Sequence, residues 1–311
     1  MGYSSTSDAA PAKRVADTRA PERRTVGRFA ETRTVRAVRW AFRLSSRVAP
    51  TLTAHAAYAL LAKPPRGPER VWQRALREQA RSSCVRVGPH TVAVYEWGAG
   101  PTVLIVHGWG ARSTHLGKMV EPLVSAGFRV VAFDAPAHGH SDGRATDPVE
   151  FAAAVTAVAR HVGPVHTLLA HSFGVAMALY ARRDWGVKAE RMVFISSFNH
   201  CKWFLDAFAQ YLGIKPSVMA QAGQMMVKRY QGRLNWDHMS VVDMLRCTRE
   251  PTLIIHDSDD EEIPFQHSID LFRAAPHAEF HATSGLGHHK LLGNGDVIER
   301  VVKFAAGSQE H

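Results

Sequence analysis

From residue 85 onward, short runs of almost uninterrupted apolar residues alternate with longer stretches of helical periodicity, and this alternation restricts the fold more than any other feature of the chain. The runs are residues 102–106, 129–133, 165–170, 191–196, 252–256 and 278–282, preceded by 85–87 and 91–97, which read as a hairpin. A strand with one face in water alternates apolar and polar residues, whereas a strand that is apolar throughout must be covered on both faces. Residues 114–126, 148–162, 174–184, 265–275 and 294–306 have the length and spacing of helices that supply such cover. The order predicts an α/β fold: an open, mostly parallel, doubly wound sheet with helices on both faces.

The rhythm breaks once, where about 55 residues separate the run ending near Ser197 from the one opening at Thr252. This interval is rich in large apolar and flexible side chains, among them Trp203, Phe204, Phe208, Tyr211, Met225, Met226 and Trp236. We expect a helical cap at about 199–250 over the carboxyl ends of the strands, where ligands bind in such sheets. Most of these residues are expected to hold the cap together, and two or three to touch a ligand.

The net charge of +10 suggests nucleic acid until it is divided along the chain. Residues 1–90 hold 18 Lys and Arg against 6 Asp and Glu, whereas residues 91–311 are net −2. The basicity therefore belongs to the N-terminal segment, and no nucleic-acid partner is expected for the body. Residues 1–34 have the composition of a disordered tail, and 35–84 read as a basic helical extension before the 85–311 body. In it, Trp40, Leu44, Val48 and Leu52 recur at i+4 spacing beside Arg36, Arg39, Arg43 and Arg47, Pro50 kinks or splits the helix, and a second helix spans 69–80. The preferred reading buries that apolar stripe against the body and leaves the arginines in solvent. The alternative lays residues 36–62 on an anionic membrane surface. The chain has no apolar stretch long enough to span a membrane, its targeting signals are weak, and a cytoplasmic protein is expected. Cys84, Cys201 and Cys247 are too scattered for a disulfide framework or a zinc site.

The 165–170 run leads directly into His171-Ser172-Phe173-Gly174 and a helix. A serine at a sharp strand–turn–helix junction presents its hydroxyl at the top of the sheet, and its small neighbours avoid clashes with the adjoining strand and helix. Ala170 stands where the G-x-S-x-G pattern has its first glycine. The first buried run ends in His107-Gly108-Trp109-Gly110, whose glycines permit a sharp turn. The N–H groups of Trp109 and Phe173 form the natural oxyanion-hole pair, and His107 is expected to structure the loop. After the 252–256 run, Asp257, Asp259, Asp260, Glu261 and Glu262 crowd one loop; one of them is expected to orient a histidine and the others to be solvated. Gly285-Leu286-Gly287-His288-His289 follows the last run, and the order serine, acid, histidine is one of three known for this triad.

These motifs resemble the α/β-hydrolase family, and within it the capped serine hydrolases, over about residues 91–306. The resemblance rests on His107-Gly108, the segment Phe133-Asp134-Ala135-Pro136-Ala137-His138-Gly139-His140-Ser141, the Ser172 elbow, and the acid and histidine loops. It aligns Asp260 with the family's acid, Asp257 with a position usually held by glycine, and His288 with the base, leaving His289 adjacent. Asp134 and His138 fall in a loop that implies a structural role. Serine at the elbow argues against the family's branches that use Asp or Cys there. The resemblance implies cleavage of an apolar small-molecule ester through an acyl-enzyme, by Ser172, His288 and Asp260, with no metal or organic cofactor required. Acyl transfer on the same residues, or a silent scaffold used as a binding module, are the alternatives.

Overall fold

The computed structural model describes residues 33–231 and 233–307, and the apolar runs form one eight-stranded sheet. Its strands are β1 (Arg81–Val87), β2 (His90–Trp97), β3 (Thr102–Val106), β4 (Arg129–Phe133), β5 (Val165–His171), β6 (Arg191–Ile195), β7 (Thr252–Asp257) and β8 (Ala278–Thr283). The spatial order is β1-β2-β4-β3-β5-β6-β7-β8; β2 pairs antiparallel with β1 and β4, and the pairs from β4 through β8 are parallel. The chain leaves β3 toward one edge of the sheet and returns to its other side at β5. The loops after β3 and β5 therefore diverge, opening the crevice in which ligands bind in open parallel sheets.

Both faces of the central strands are buried, as their composition requires. Leu104, Val106, Val131, Phe133, Leu168 and Ala170 feed one core, and Val103, Ile105, Val130, Ala132 and Leu169 feed the other. Strand β1 starts four residues earlier than its apolar pattern indicates, because Arg81–Cys84 pair across the hairpin with Glu96–Ala93 while largely exposed.

Three helices precede the sheet, α1 (Arg33–Val48), α2 (Pro50–Leu61) and α3 (Val71–Glu78). A 3-10 stretch over Ser113–Met119 runs into α4 (Val120–Ser125), followed by α5 (Pro148–Val162) and α6 (Phe173–Trp185). Asp147 caps α5, its carboxylate accepting from the N–H groups of Val149 and Glu150, and Pro148 occupies the first helical position. The interval between β6 and β7 is helical as expected, with α7 (Cys201–Leu212), α8 (Pro216–Arg229) and α9 (Val241–Arg246). This cap is fastened to the body where the Tyr230 hydroxyl donates to Asp147 at 2.7 Å and Arg229 pairs with Glu150 at 2.8 Å. Helices α10 (Gln266–Ala274), α11 (Gly287–Lys290) and α12 (Gly295–Ala305) are the last among the described residues.

The N-terminal extension is part of the body. Helix α2 packs on α8, the Ala62 carbonyl accepts from Thr146 N–H at 2.8 Å, and Arg66 donates to the carbonyls of Ala137, Ser141 and Gly143. The chain breaks at Ala49, so that Pro50 starts α2 without a missing hydrogen bond. One expectation is corrected. The stripe Trp40, Leu44, Val48 and Leu52 faces outward, with Trp40 68% and Val48 and Leu52 each 73% exposed. Helix α1 instead turns Val38, Phe42 and Ser46 inward. Both sets repeat every fourth residue, but an offset of two positions, about 200° of helix rotation, puts them on opposite sides. The tail expected over 1–34 falls on residues 1–32, which lie outside the described residues, while Arg33 and Thr34 already belong to α1. Among the described residues no helix is long and apolar enough to cross a membrane.

Candidate active site

Ser172 lies between β5 and α6 with φ 56° and ψ −126°, a left-handed conformation that a residue with a Cβ adopts only under constraint from its surroundings. Its N–H donates to the Ile195 carbonyl of β6 at 2.9 Å, which holds the turn to the sheet. Two glycines make room for it. A Cβ on Gly174 would lie 2.4 Å from the His107 carbonyl oxygen, and one on Gly108 would lie 3.2 Å from the Ser172 Cβ. The loop after β3 therefore abuts the serine. His107 accepts from Ala135 N–H through Nε2 and donates through Nδ1 to the Gly108 carbonyl. His138 accepts from Gly110 N–H and donates to the Pro136 carbonyl, while the Asp134 carboxylate accepts from the N–H groups of Ser113 and His140. Burial pushes both His107 and His138 below the usual imidazole range, so they serve as neutral loop braces. The extension adds a brace of its own: Pro65 packs at Gly110, and the Arg112 side chain donates to the Gly67 carbonyl.

Across the crevice, His288 on α11 donates through Nδ1 to Asp260 Oδ2 at 2.7 Å, and both side chains are almost wholly buried. The other Asp260 oxygen accepts from Glu262 N–H at 2.8 Å and Ile263 N–H at 2.9 Å, and His256 Nε2 lies 3.2 Å from Oδ2. Burial alone would raise the Asp260 carboxyl, but hydrogen bonds from His256 and His288, the histidine charge and the backbone donors outweigh it. The carboxyl sits far below its ordinary value and stays ionised. His171, just before the serine, donates through Nε2 to the His288 carbonyl at 3.2 Å, with the two rings 4.7 Å apart. The elbow and the histidine loop thus meet directly. Burial, reinforced by His288 and His289, holds His171 well below the usual imidazole range.

The structure brings together Asp260 and His288, sets Ser172 against Gly108, and places the Trp109 and Phe173 rings 5.1 Å apart. Phe204 of α7 completes an aromatic wall, 5.0 Å from Phe173 and 6.0 Å from Trp109. As the first residue of α6, Phe173 has an N–H without an intrahelical acceptor.

The acids of the 257–262 loop do not divide into one buried and several solvated groups. Asp257 is wholly buried, with Oδ1 accepting from Gly287 and Asp259 N–H and Oδ2 from the Thr283 hydroxyl and Leu286 N–H. It ties the histidine loop to β7, a role that becomes visible only when β8 brings residues 283–287 alongside. Glu262 is also partly buried, 3.0 Å from His289 Nε2 and 3.9 Å from His288 Nε2. Asp259, exposed, accepts from Gly285 N–H. The sequence assigns no role to His256 and His171, and it treats Asp257 only as one of several candidate acids. Their signal was a polar side chain at the end of an apolar strand.

The model of the Alpha/beta hydrolase family matches residues 103–303, and the chain belongs to that family. It is similar to a non-heme haloperoxidase of Rhodococcus erythropolis, 25% identical over an alignment of 251 residues that covers 65% of this chain and 91% of the relative. An esterase of Pyrococcus furiosus, Pf2001, superposes with a TM-score of 0.60 at 16% identity, covering 79% of this chain and 97% of its own. The esterase EaEST of Exiguobacterium antarcticum gives 0.57 at 17% identity, over 73% of this chain and 100% of its own. These likenesses establish the α/β-hydrolase fold.

Proposed function

We propose that the protein is a serine hydrolase that cleaves a carboxylic ester through an acyl-enzyme. The observation that carries this reading is the buried Asp260–His288 hydrogen bond at 2.7 Å, set beside a serine on a left-handed elbow. With Nδ1–H given to an ionised carboxylate, the His288 proton resides on Nδ1 and Nε2 is left basic. Ser172 Oγ attacks the ester carbonyl while His288 Nε2 takes its proton, and Asp260 stabilises the imidazolium. The N–H groups of Trp109 and Phe173 stabilise the oxyanion by about 3 kcal/mol each. The intermediate collapses as His288 returns the proton to the leaving alcohol, and water, deprotonated by His288, then releases the acid. The wall of Trp109, Phe173 and Phe204 favours an apolar acyl or alcohol group.

Labelling with a fluorophosphonate and turnover of p-nitrophenyl esters test this reading. Ser172→Ala should abolish labelling and lower turnover on the order of 10⁴-fold, leaving the thermal melt intact. Full activity in Ser172→Ala would refute it, and failure of the unaltered protein to label would favour the silent scaffold. The likeness to a haloperoxidase supports a second reading, in which hydrogen peroxide replaces water at the acyl-enzyme and yields a peroxy acid that oxidises halide. Peroxide- and bromide-dependent bromination of a dye, lost in Ser172→Ala, would distinguish it.

A further inference from the structure

Among the described residues, every large hydrophobic side chain that is exposed, namely Trp40, Leu44, Val48, Leu52, Leu60 and Val71, lies in the first three helices. Helix α1 carries two apolar faces. The face bearing Val38, Phe42 and Ser46 packs on the body, and Arg43 passes over Gly213 at the end of α7. The opposite face bears Trp40, Leu44 and Val48 with Ala37 and Ala41, and Arg36, Arg43 and Arg47 run along one edge of it. The helix has five arginines and no acidic residue. Helix α2 repeats the arrangement without charge: Thr53, Ala54, Ala57 and Leu61 are buried, while Leu52, Ala56, Ala59 and Leu60 face out.

We infer that the outward face of α1 and α2 docks on an anionic lipid surface. An apolar stripe edged by arginines, on helices already held by the body, lies in the interface plane with its aliphatic and indole groups below the headgroups and its guanidinium groups among the lipid phosphates. Charge decides among the occupants. A second copy would set the edge of Arg36, Arg43 and Arg47 against another of the same charge, and a nucleic acid would leave Trp40, Leu44, Val48 and Leu52 without apolar partners. An anionic bilayer matches both the charge and the apolar area.

The test is co-sedimentation of the full chain with vesicles of phosphatidylcholine alone and of phosphatidylcholine mixed with phosphatidylglycerol; it reads binding without reference to activity. The protein should partition onto the anionic vesicles, far less onto the neutral ones, and less as salt rises. Arg36→Gln with Arg47→Gln should weaken binding about fivefold for each arginine removed. Trp40→Ser with Leu44→Ser should weaken it roughly tenfold or more. All four positions are exposed, so the thermal melts should match that of the unaltered chain. Absence of binding to either vesicle, or binding that neither double variant weakens, would overturn the inference. So would a dimer that Trp40→Ser with Leu44→Ser dissociates, or oligonucleotide binding that exceeds vesicle binding.

Discussion

Asp257 and Asp260 are three positions apart, both buried, and their carboxylates do different work. Asp260 Oδ1 is occupied by two backbone N–H groups, leaving Oδ2 for His288. In Asp260→Asn the amide oxygen is held by those same donors, so the NH₂ faces Nδ1 and forces the proton onto Nε2. Turnover should fall on the order of 10⁴-fold with little change in the melt, the wrong tautomer being the cause. At Asp257 each oxygen accepts two hydrogen bonds, so in Asp257→Asn an NH₂ confronts donors in either orientation. That substitution should destabilise the fold by about 1–3 kcal/mol and cut activity by shifting the loop that carries His288. Asp259→Asn, at an exposed site, should do neither. Thermal melts and p-nitrophenyl acetate turnover, measured side by side, separate the three; an unchanged melt in Asp257→Asn would remove its assigned role.

At the scale of elements, α7 divides its aromatic residues between two tasks. Trp203 rests on His267 at 4.8 Å and on Phe198 at 5.9 Å, inside the base of the cap, whereas Phe204 reaches the wall beside Ser172. Phe204→Ala should therefore lower kcat/KM for long-chain esters about tenfold while barely changing that for acetate. Trp203→Ala should lower the melting temperature instead. A uniform loss across chain lengths in Phe204→Ala would show that it supports the cap and does not shape the pocket. The pairs Tyr230–Asp147 and Arg229–Glu150 keep the cap seated, so its position relative to the elbow does not rest on α7 alone.

For the molecule as a whole, buried histidines set the acid limit of stability. Burial pushes His107, His138 and His171 below their usual range, and brings His115 and His267 down to about 4 from 6.5. Below pH 6.5 the unfolded chain takes up protons that the folded chain refuses, so stability falls as pH falls and is unaffected by these groups above that point. For His115 and His267 the window runs from 6.5 down to about 4, and within it each costs up to about 1.4 kcal/mol per pH unit. The melting temperature should drop steadily from pH 7 to pH 5, and a flat profile would contradict the burial assigned to these rings.

The sequence by itself determined the strands and the elbow, because both are local. A run such as Thr102–Val106, apolar at four of its five positions and alternating with helical stretches, fits a strand buried on both faces of a parallel sheet, and Ser172-Phe173-Gly174 between a strand and a helix has one tight geometry. It also marked Pro50 as a kink or a split in the first helical stretch, and the assembled chain splits there into α1 and α2. The tertiary structure alone decided which of two equivalent stripes on α1 turned inward, because period and hydrophobicity are alike for Val38 and Phe42 and for Trp40 and Leu44, and only the surface of the cap distinguishes them. It alone decided the roles of the acids, since Asp257 acquires three of its four donors from residues 26 to 30 positions away, across β8. Periodicity reports that a face is buried; only the assembled neighbours determine which face that is, and which buried charge meets a histidine and which meets backbone.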